Sequence, residues 1–242
     1  MKKILLALLV LTVIYSCKKE NNADTNLHIT GTVKGLKQGK IYIKRIVDTS
    51  LVTMDSIIVK GNSTFESHLK IDSPEMLYLI LDRGHTTSVD DKLPFFAEPG
   101  NMKIMTSMDG FYSRAKITGS ENQKLYENFQ KLKSRYTSIN LELVQQNIEA
   151  TQSNDVKKLD SIEDLSEKLL RRRYFVIANF AKNHADQEVG PYIALSEIYD
   201  MNIKYLDTIH NSMSPEVAKS HYGKMLTEFI ENRKKEESAE VK

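Results

Sequence analysis

The chain has 242 residues, with 34 lysines and arginines against 32 aspartates and glutamates, and a single cysteine. Its length suits one or two domains and is sufficient for a substantial hydrophobic core. Removal of an N-terminal segment that contains Lys2 and Lys3 would leave 34 − 2 = 32 basic residues against 32 acidic ones. Such a chain has no net field to attract nucleic acid, so we expect no nucleic-acid partner. One cysteine also excludes an intrachain disulfide and a Cys-x-x-Cys redox motif.

The N-terminal segment has the composition of a secretory signal peptide. Two lysines precede an uncharged and almost wholly apolar stretch, Ile4–Ile14, and Ser16 stands before Cys17. The apolar stretch has about half of the roughly 20 residues that a membrane-spanning helix needs. We therefore expect residues 1–16 to be a targeting segment that is cleaved off.

Cys17 makes this prediction more specific. Ile14-Tyr15-Ser16-Cys17 resembles the lipobox of bacterial lipoproteins, in which the cysteine thiol receives a diacylglyceryl group and becomes the new N-terminus. Tyr15 departs from the pattern, which usually has a small or aliphatic residue there. An ordinary signal peptide that ends beside a free cysteine is the alternative. The resemblance implies cleavage between Ser16 and Cys17 and acylation of Cys17, for example by palmitate, and more than one acyl chain gives stable membrane attachment.

The residues after Cys17 bear on localisation. Cys17-Lys18-Lys19-Glu20 resembles the charged stretch after the lipidated cysteine in Bacteroidota-type lipoproteins, some of which reach the cell surface. We expect attachment to the outer membrane, on its periplasmic face or at the cell surface. Residues 17–26 are polar from Glu20 onward and predict a short flexible tether.

Residues 27–118 have the pattern of a β-rich domain. Short strands are predicted over residues 28–33, 40–46, 52–59, 64–71, 76–81, 93–97, 102–105 and 116–118. Gly, Asn and Pro turns separate them at intervals of about ten residues, which is typical of an antiparallel β-sandwich or open barrel. Met76–Leu81 is continuously apolar, so we expect this strand to be buried on both faces.

Residues 119–232 have helical periodicity. Ser120 and Gln123 have the spacing of a capping box at the first helix. Apolar stripes follow at Leu125, Phe129, Leu132, Tyr136, Ile139 and Leu143, and then at Leu159, Ile162, Leu165, Leu169, Val176 and Phe180. They predict two long helices in an antiparallel hairpin.

The remaining helices are predicted to be shorter. They cover residues 192–199, 203–209 and 224–232, with a further start signal at Ser214-Pro215-Glu216. Residues 233–242 form a charged tail that we expect to fray. The predicted fold class is therefore α+β, with an N-terminal antiparallel sandwich or open barrel followed by an all-α region with a long helical hairpin.

No segment carries a recognisable enzymatic motif. The sequence lacks the nucleophile elbow, the P-loop and the dinucleotide-binding fingerprint. The six histidines are His28, His68, His85, His184, His210 and His221, and no pair has the spacing of a helical metal site. We interpret them as ordinary surface or core residues and predict no catalytic residue, no cofactor and no metal site. A cation site at Asp82, Asp90 and Asp91 lacks the ligand spacing of a calcium loop, so a solvated loop is the favoured interpretation.

Two further patterns have weak functional interpretations. Arg171-Arg172-Arg173 could contact a partner or anionic lipid, but we expect it to pair with the nearby acids Glu163, Asp164 and Glu167. Three Asp-Ser/Thr-Ile triplets resemble the O-glycosylation motif of exported Bacteroidota-type proteins. Their hydroxyl residues are Ser56, Ser161 and Thr208.

Several short motifs together resemble one family. They are Ile29–Gly35, Asp55-Ser56, Gly61–Phe65, Phe95–Gly100 and Ile117–Ser120. They resemble the β-rich domain of unknown function numbered 4369, which in Bacteroidota-type lipoproteins commonly precedes a thioredoxin-like domain; the helical stretch resembles the linker of those proteins. The thioredoxin-like domain carries Cys-x-x-Cys, which this sequence lacks. The resemblance therefore implies the accessory part without the reactive part, and it transfers no catalytic residue.

These observations favour a non-enzymatic, lipid-anchored envelope protein that acts as a binding or interaction module. A protein is the expected partner, besides the membrane that holds the lipid. Two alternatives stay open. The chain could be the accessory domain of a separately encoded thioredoxin-like thiol–disulfide protein, or an unrecognised hydrolase or glycan-binding protein.

Overall fold

The computed structural model describes residues 24–84 and 88–240. The strands in this part of the chain are β1 (Leu27–Lys34), β2 (Gln38–Val47), β3 (Ser50–Lys60), β4 (Thr64–Leu69), β5 (Glu75–Asp82), β6 (Lys92–Ala97), β7 (Gly100–Ser107) and β8 (Lys116–Thr118). The α-helices are α1 (Glu121–Gln152), α2 (Val156–Asn183), α3 (Val189–Glu197), α4 (Ile203–His210) and α5 (His221–Glu240). Over these residues, none of the helices combines the length and apolar character needed to cross a bilayer.

The strands form two four-stranded sheets. The first sheet has the order β4-β1-β7-β8 and the second has the order β3-β2-β5-β6. Neighbouring strands are antiparallel except β1 and β7, which run parallel from Leu27 opposite Gly100 to Lys34 opposite Ser107. The predicted α+β fold is confirmed, and the expectation of a wholly antiparallel sandwich is wrong for this one pair. A parallel pair needs a long crossover, and here strands β2–β6 lie between its members.

The two sheets pack face to face around one apolar core. Side chains that alternate along the strands fill it, as in β-sandwiches generally. Ile29 and Ile104 of the first sheet and Ile41, Leu79 and Phe95 of the second are all fully buried in this core. The sandwich therefore uses one face of each sheet.

The other face of the second sheet packs against the helices. Met76 of β5 and Phe96 of β6 are buried there with Ile177, Ile193 and Leu226, which come from three different helices. The second sheet is thus the middle layer between the first sheet and the helical region. The prediction that Met76–Leu81 is buried on both faces is confirmed on the sandwich side, where the alternate residues Leu77, Leu79 and Leu81 are buried. On the helical side it is confirmed only at Met76, since Tyr78 and Ile80 are partly exposed.

Helices α1 and α2 form the predicted antiparallel hairpin. The rings of Phe129 and Phe180 lie 5.5 Å apart near one end, and Leu143 packs with Ile162 near the other. The apolar stripes are only partly buried, since Ile139 of α1 and Leu165 of α2 are among the exposed residues. These two positions stay exposed because only the two helices themselves contribute to the apolar cluster at that end.

The start of α1 differs from the predicted capping box. The Ser120 hydroxyl accepts a hydrogen bond from the Gln123 N–H at 2.9 Å, as predicted. The Gln123 side chain does not return to the cap: its amide oxygen accepts from the Phe96 N–H at 2.7 Å and its amide nitrogen donates to Glu127. Gln123 therefore satisfies an N–H of the edge strand β6, which would otherwise be buried without a partner.

A buried polar junction joins the starts of α1 and α3. The side-chain oxygen of Asn122 accepts from the Val189 N–H at 2.9 Å, and its nitrogen lies within 3.4 Å of carboxylate oxygens of Glu98 and Glu188. Asn122 is almost fully buried. Burial raises the pKa of the Glu188 carboxyl, while hydrogen bonds from its own backbone and from Asn122 oppose the shift. Asn122 thus accepts a hydrogen bond from an N–H at the start of α3 and donates one to the adjacent Glu188 carboxylate.

The C-terminal segment is more regular than expected. Helix α5 continues through Glu240, beyond its predicted end at Asn232. Arg233 holds it against the rest of the molecule, because one guanidinium nitrogen donates to the carbonyls of Tyr199 at 2.9 Å and Met201 at 2.8 Å. The start signal at residues 214–216 precedes a short 3-10 turn, Val217–Lys219, instead of an α-helix.

Candidate functional site

A groove of about 730 Å³ lies where one end of the second sheet meets helices α3 and α5. Its volume falls within the roughly 300–1,000 Å³ that is usual for ligand sites. Residues 45–48 line it from the end of β2 and the turn that follows. Residues 72–78 contribute from the β4–β5 loop and β5, and the remaining lining residues lie on α3 and α5.

Tyrosines form the helical wall of the groove. The rings of Tyr192 and Tyr222 lie 5.0 Å apart in an edge-to-face contact, and both contact Phe96 beneath them. The Tyr222 hydroxyl accepts a hydrogen bond from the Met76 N–H at 2.9 Å. Burial raises the pKa of both tyrosines well above the ordinary value, and it raises the pKa of the neighbouring Tyr126 to about 12. This wall therefore stays neutral and combines aromatic surface with hydroxyl groups.

The sheet side of the groove is acidic. Arg45 forms an ion pair with Glu75, with 3.0 Å between guanidinium nitrogen and carboxylate oxygen. Burial raises the pKa of the Glu75 carboxyl, and the charge of Arg45 opposes that shift. Asp48 and Asp72 are exposed at the rim. Burial, together with nearby Arg45, lowers the pKa of His221, which leaves its imidazole neutral at pH 7. The groove lining thus contains three carboxyl groups and one guanidinium.

An exposed apolar hairpin tip continues the groove. We call residues 46–52, which comprise the end of β2, the two-residue turn and the start of β3, the hairpin tip. Ile46, Val47, Leu51 and Val52 are between 39% and 48% exposed, and Ile46 and Val47 also line the groove. Ile46 lies opposite Leu51 on one face of the hairpin, whereas Val47 and Val52 lie on the other face, so the tip exposes apolar surface on both faces.

The predicted modification sites do not come together. Ser16 and Cys17 lie outside the described residues. Ser56 on β3, Ser161 on α2 and Thr208 on α4 are all exposed. The hydroxyls of the two helical residues donate to carbonyls one turn earlier in their helices. Each of the three is accessible, and none belongs to the groove.

The aspartates considered for a cation site accept hydrogen bonds from nearby side-chain and backbone groups instead. The carboxylate of Asp91 is buried and accepts from the Arg83 guanidinium at 2.7 Å. Asp90 accepts from the N–H groups of Phe111 and the residue after it, and Asp82 accepts from the Gly84 N–H. The interpretation as a solvated loop is therefore wrong for Asp91, because Arg83 compensates its burial.

The arginine triplet is engaged mainly in ion pairs. Arg171 pairs with Glu167 one turn earlier on α2 at 2.6 Å, as predicted. Arg173 lies 3.8 Å from Glu197 of α3. The predicted pairing with Asp164 is wrong, since that carboxylate binds Lys168.

The structure also brings together two histidines that the sequence leaves 40 residues apart. His28 of β1 lies directly opposite His68 of β4, and their rings stack with 4.3 Å between centroids. The spacing of histidines along a single element does not reveal this pair, because the two residues lie on different strands. Alternation does place each histidine on the solvent side of its strand, but only the register of β1 against β4 shows that they meet.

Comparisons with known proteins give a family for part of the chain. No curated protein matches it. Among solved structures, the crystal structure of (S)-allantoin synthase matches with 12% identity over 40% of this chain and 46% of that chain, with a TM-score of 0.25. This chain therefore spans less than half the length of that protein. Residues 27–126 match the family described as Domain of unknown function (DUF4369), and all eight strands lie within that range. The chain thus contains a DUF4369 domain, followed by a helical region that packs on it.

Proposed function

We propose that the chain is a lipid-anchored, non-enzymatic protein of the cell envelope whose groove binds a segment of a partner protein. In this proposal the segment presents an apolar side chain next to a lysine or arginine. The observation that carries it is the acidic, tyrosine-walled groove that continues into the exposed hairpin tip. The anchor rests on the signal-like residues 1–16 and on Cys17.

The groove has the surface chemistry of a protein-binding site. Tyrosines and other large apolar groups contribute most to binding energy at protein interfaces, and the hairpin tip adds aliphatic area beside them. Asp48 and Asp72 have no ion-pair partner among the described residues. A basic side chain would supply one, and the tyrosine rings can also receive a cation on their faces.

Selection of peptides tests the chemistry of this groove. The full chain, purified in detergent, is panned against displayed random peptides, and the selected sequences are scored for lysine or arginine adjacent to a large apolar residue. Asp72→Lys reverses a charge at the rim, so we expect it to weaken binding of selected peptides by about tenfold or more. Binding is measured by fluorescence anisotropy.

The matched control is Asp186→Lys, an equal charge change at an exposed position outside the groove. It should leave the affinity of the selected peptides unchanged. Selection of acidic peptides, or equal weakening by the two variants, would contradict the proposal.

Photocrosslinking in intact cells identifies the natural partner. A photoreactive residue at Met225, which is exposed in the groove, should give a discrete adduct that Asp72→Lys removes. The same residue at Ile58, exposed on β3 outside the groove, serves as the control. Recovery of a thioredoxin-like protein from Met225 would make the chain its accessory domain. Equal adducts from both positions would argue against groove-specific binding.

Substitution of the lipidated residue tests the anchor. Cys17→Ser removes the only thiol that can be acylated, so the protein should leave the membrane fraction or accumulate in unprocessed form. Lys18→Ser, outside the four-residue motif, should stay attached. Cell fractionation with intact mass spectrometry checks both variants. Unchanged size and attachment of Cys17→Ser would exclude the anchor.

A further inference from the structure

We propose that His28, His68 and Glu66 form a binding site for a zinc-type divalent transition-metal ion on the outer face of the first sheet. The site is independent of the groove and of its proposed ligand. It uses two imidazole nitrogens and one carboxylate oxygen, whose ligand atoms all lie within 4.8 Å of one another. Two histidines and one glutamate are an established protein ligand set for catalytic zinc, in which a fourth position stays open.

Strand register brings the three side chains to one face. β1 and β4 pair antiparallel with His28 opposite His68, and Glu66 lies two residues before His68 on the same face of β4. Their neighbours in sequence, Ile29 and Ser67, are buried on the sandwich side. The ligand side chains therefore point to solvent from two hydrogen-bonded strands, which fix their backbone positions without any contribution from a flexible loop.

The two imidazoles converge on one oxygen. Nε2 of His28 lies 2.7 Å and Nε2 of His68 lies 3.1 Å from the same oxygen, Oε1 of Glu66. The rings are nearly parallel, with 4° between their planes. Bonds of about 2.0–2.1 Å to a tetrahedral zinc ion would place ligand atoms about 3.3 Å apart. Binding therefore requires the stacked rings to rotate until both Nε2 lone pairs point at one ion, and it requires the two separations from Oε1 to open.

Asn101 favours the ligand form of His28. This asparagine lies opposite His28 on the other neighbouring strand, β7, and its side-chain oxygen is 3.3 Å from Nδ1 of His28. In the tautomer in which Nδ1 donates to Asn101, Nε2 of His28 has a lone pair free to bind a metal ion. A hydrogen bond from the second ring nitrogen is also the usual way in which proteins orient a metal-bound histidine.

The chemistry of the ligand atoms, two imidazole nitrogens and one carboxylate oxygen, favours a transition-metal ion. Imidazole ligands suit zinc, copper and nickel better than calcium or magnesium.

The cluster is also accessible. The side chains of His28 and His68 are 33% and 31% exposed, and that of Glu66 is 59% exposed. An ion can therefore enter from solvent, and water can occupy its fourth position.

Zinc titration tests the site. The full chain is prepared without a polyhistidine tag, stripped with chelator and titrated with Zn²⁺ in competition with a chromophoric chelator. One ion should bind per chain. His28→Ala and His68→Ala each remove a ligand, so we expect each to weaken binding more than Asn101→Ala, whose loss of a supporting contact should cost about tenfold. His210→Ala, a histidine of α4 that bonds Thr227, should bind as the wild type does.

Two further measurements keep the result interpretable. Thermal unfolding in the presence of chelator shows whether each variant folds, and Glu66→Gln retains the side-chain shape if an alanine variant does not. Added Zn²⁺ should raise the unfolding temperature of the wild type and not that of the His28→Ala/His68→Ala double variant. Absence of stoichiometric zinc in the wild type, or undiminished binding in the double variant, would overturn the assignment.

Discussion

Phe96→Ala is expected to lower the free energy of unfolding by about 3–5 kcal/mol, the usual cost of removing a fully buried phenylalanine ring. Phe96 has no exposed surface. Its ring lies 6.5, 5.5 and 6.0 Å from the rings of Tyr126, Tyr192 and Tyr222, which come from α1, α3 and α5 respectively. The substitution would therefore remove a strand residue that contacts all three of these tyrosines. Denaturant unfolding measures the change.

Phe95→Ala is the matched control, because it removes an equally buried ring one residue earlier on the same strand. Phe95 enters the sandwich core, whereas Phe96 enters the core between sheet and helices. Hydrogen exchange should distinguish them. Phe96→Ala should raise exchange mainly in α3 and α5, and Phe95→Ala mainly in β1 and β7. The same pattern in both variants would show that the two cores do not open separately.

Asn122→Leu is expected to lower the free energy of unfolding by about 2–4 kcal/mol, because it leaves buried polar groups without partners. The Val189 N–H loses its acceptor, and the Glu188 carboxylate loses a donor. Leucine is close to asparagine in size, so lost hydrogen bonding is the main cause. Asn128→Leu, an exposed position on the same helix, should change stability by less than about 0.5 kcal/mol.

The pH dependence separates hydrogen bonding from packing at this junction. The folded-state pKa of Glu188 is already raised, chiefly by burial, and Asn122 opposes the rise. Loss of Asn122 should raise this pKa further. A raised carboxyl pKa contributes stability that is present below the ordinary value of about 4.3 and is lost as the pH rises through the folded-state value. The deficit of Asn122→Leu should therefore be smaller near pH 4 than at pH 7. A deficit that is constant with pH would indicate a packing defect alone.

The elements of this fold follow closely from local patterns in the sequence. Alternation predicts the strands, and the four- and three-residue steps that include Phe129 and Leu143 predict the long hairpin. The same stripe misleads at Ile139, because periodicity shows which face is apolar and does not show whether anything covers it. The cap at Ser120 was predictable because its hydroxyl bonds an N–H only three residues later in the chain. The role of Gln123 was not, since its side chain bonds a strand that is distant in sequence.

The candidate sites depend on contacts that no local pattern contains. The groove joins Arg45 of β2 to Tyr192 and Tyr222 of the helices, and its acidity appears only when those segments meet. His28 and His68 become neighbours through strand register alone. The sequence shows one outward-facing histidine on each of two strands. It indicates a histidine pair only when the pairing of β1 with β4 is known.

The parallel pairing of β1 has a consequence for the order of folding. β2 and β3 are joined by a two-residue turn and can pair soon after synthesis, whereas β1 needs β4 on one side and β7, more than seventy residues later, on the other. Contacts so distant in sequence slow folding, because a long loop must close before they form. β1 precedes both of its partners along the chain. Its backbone groups stay available to other chains until Ser107 has followed.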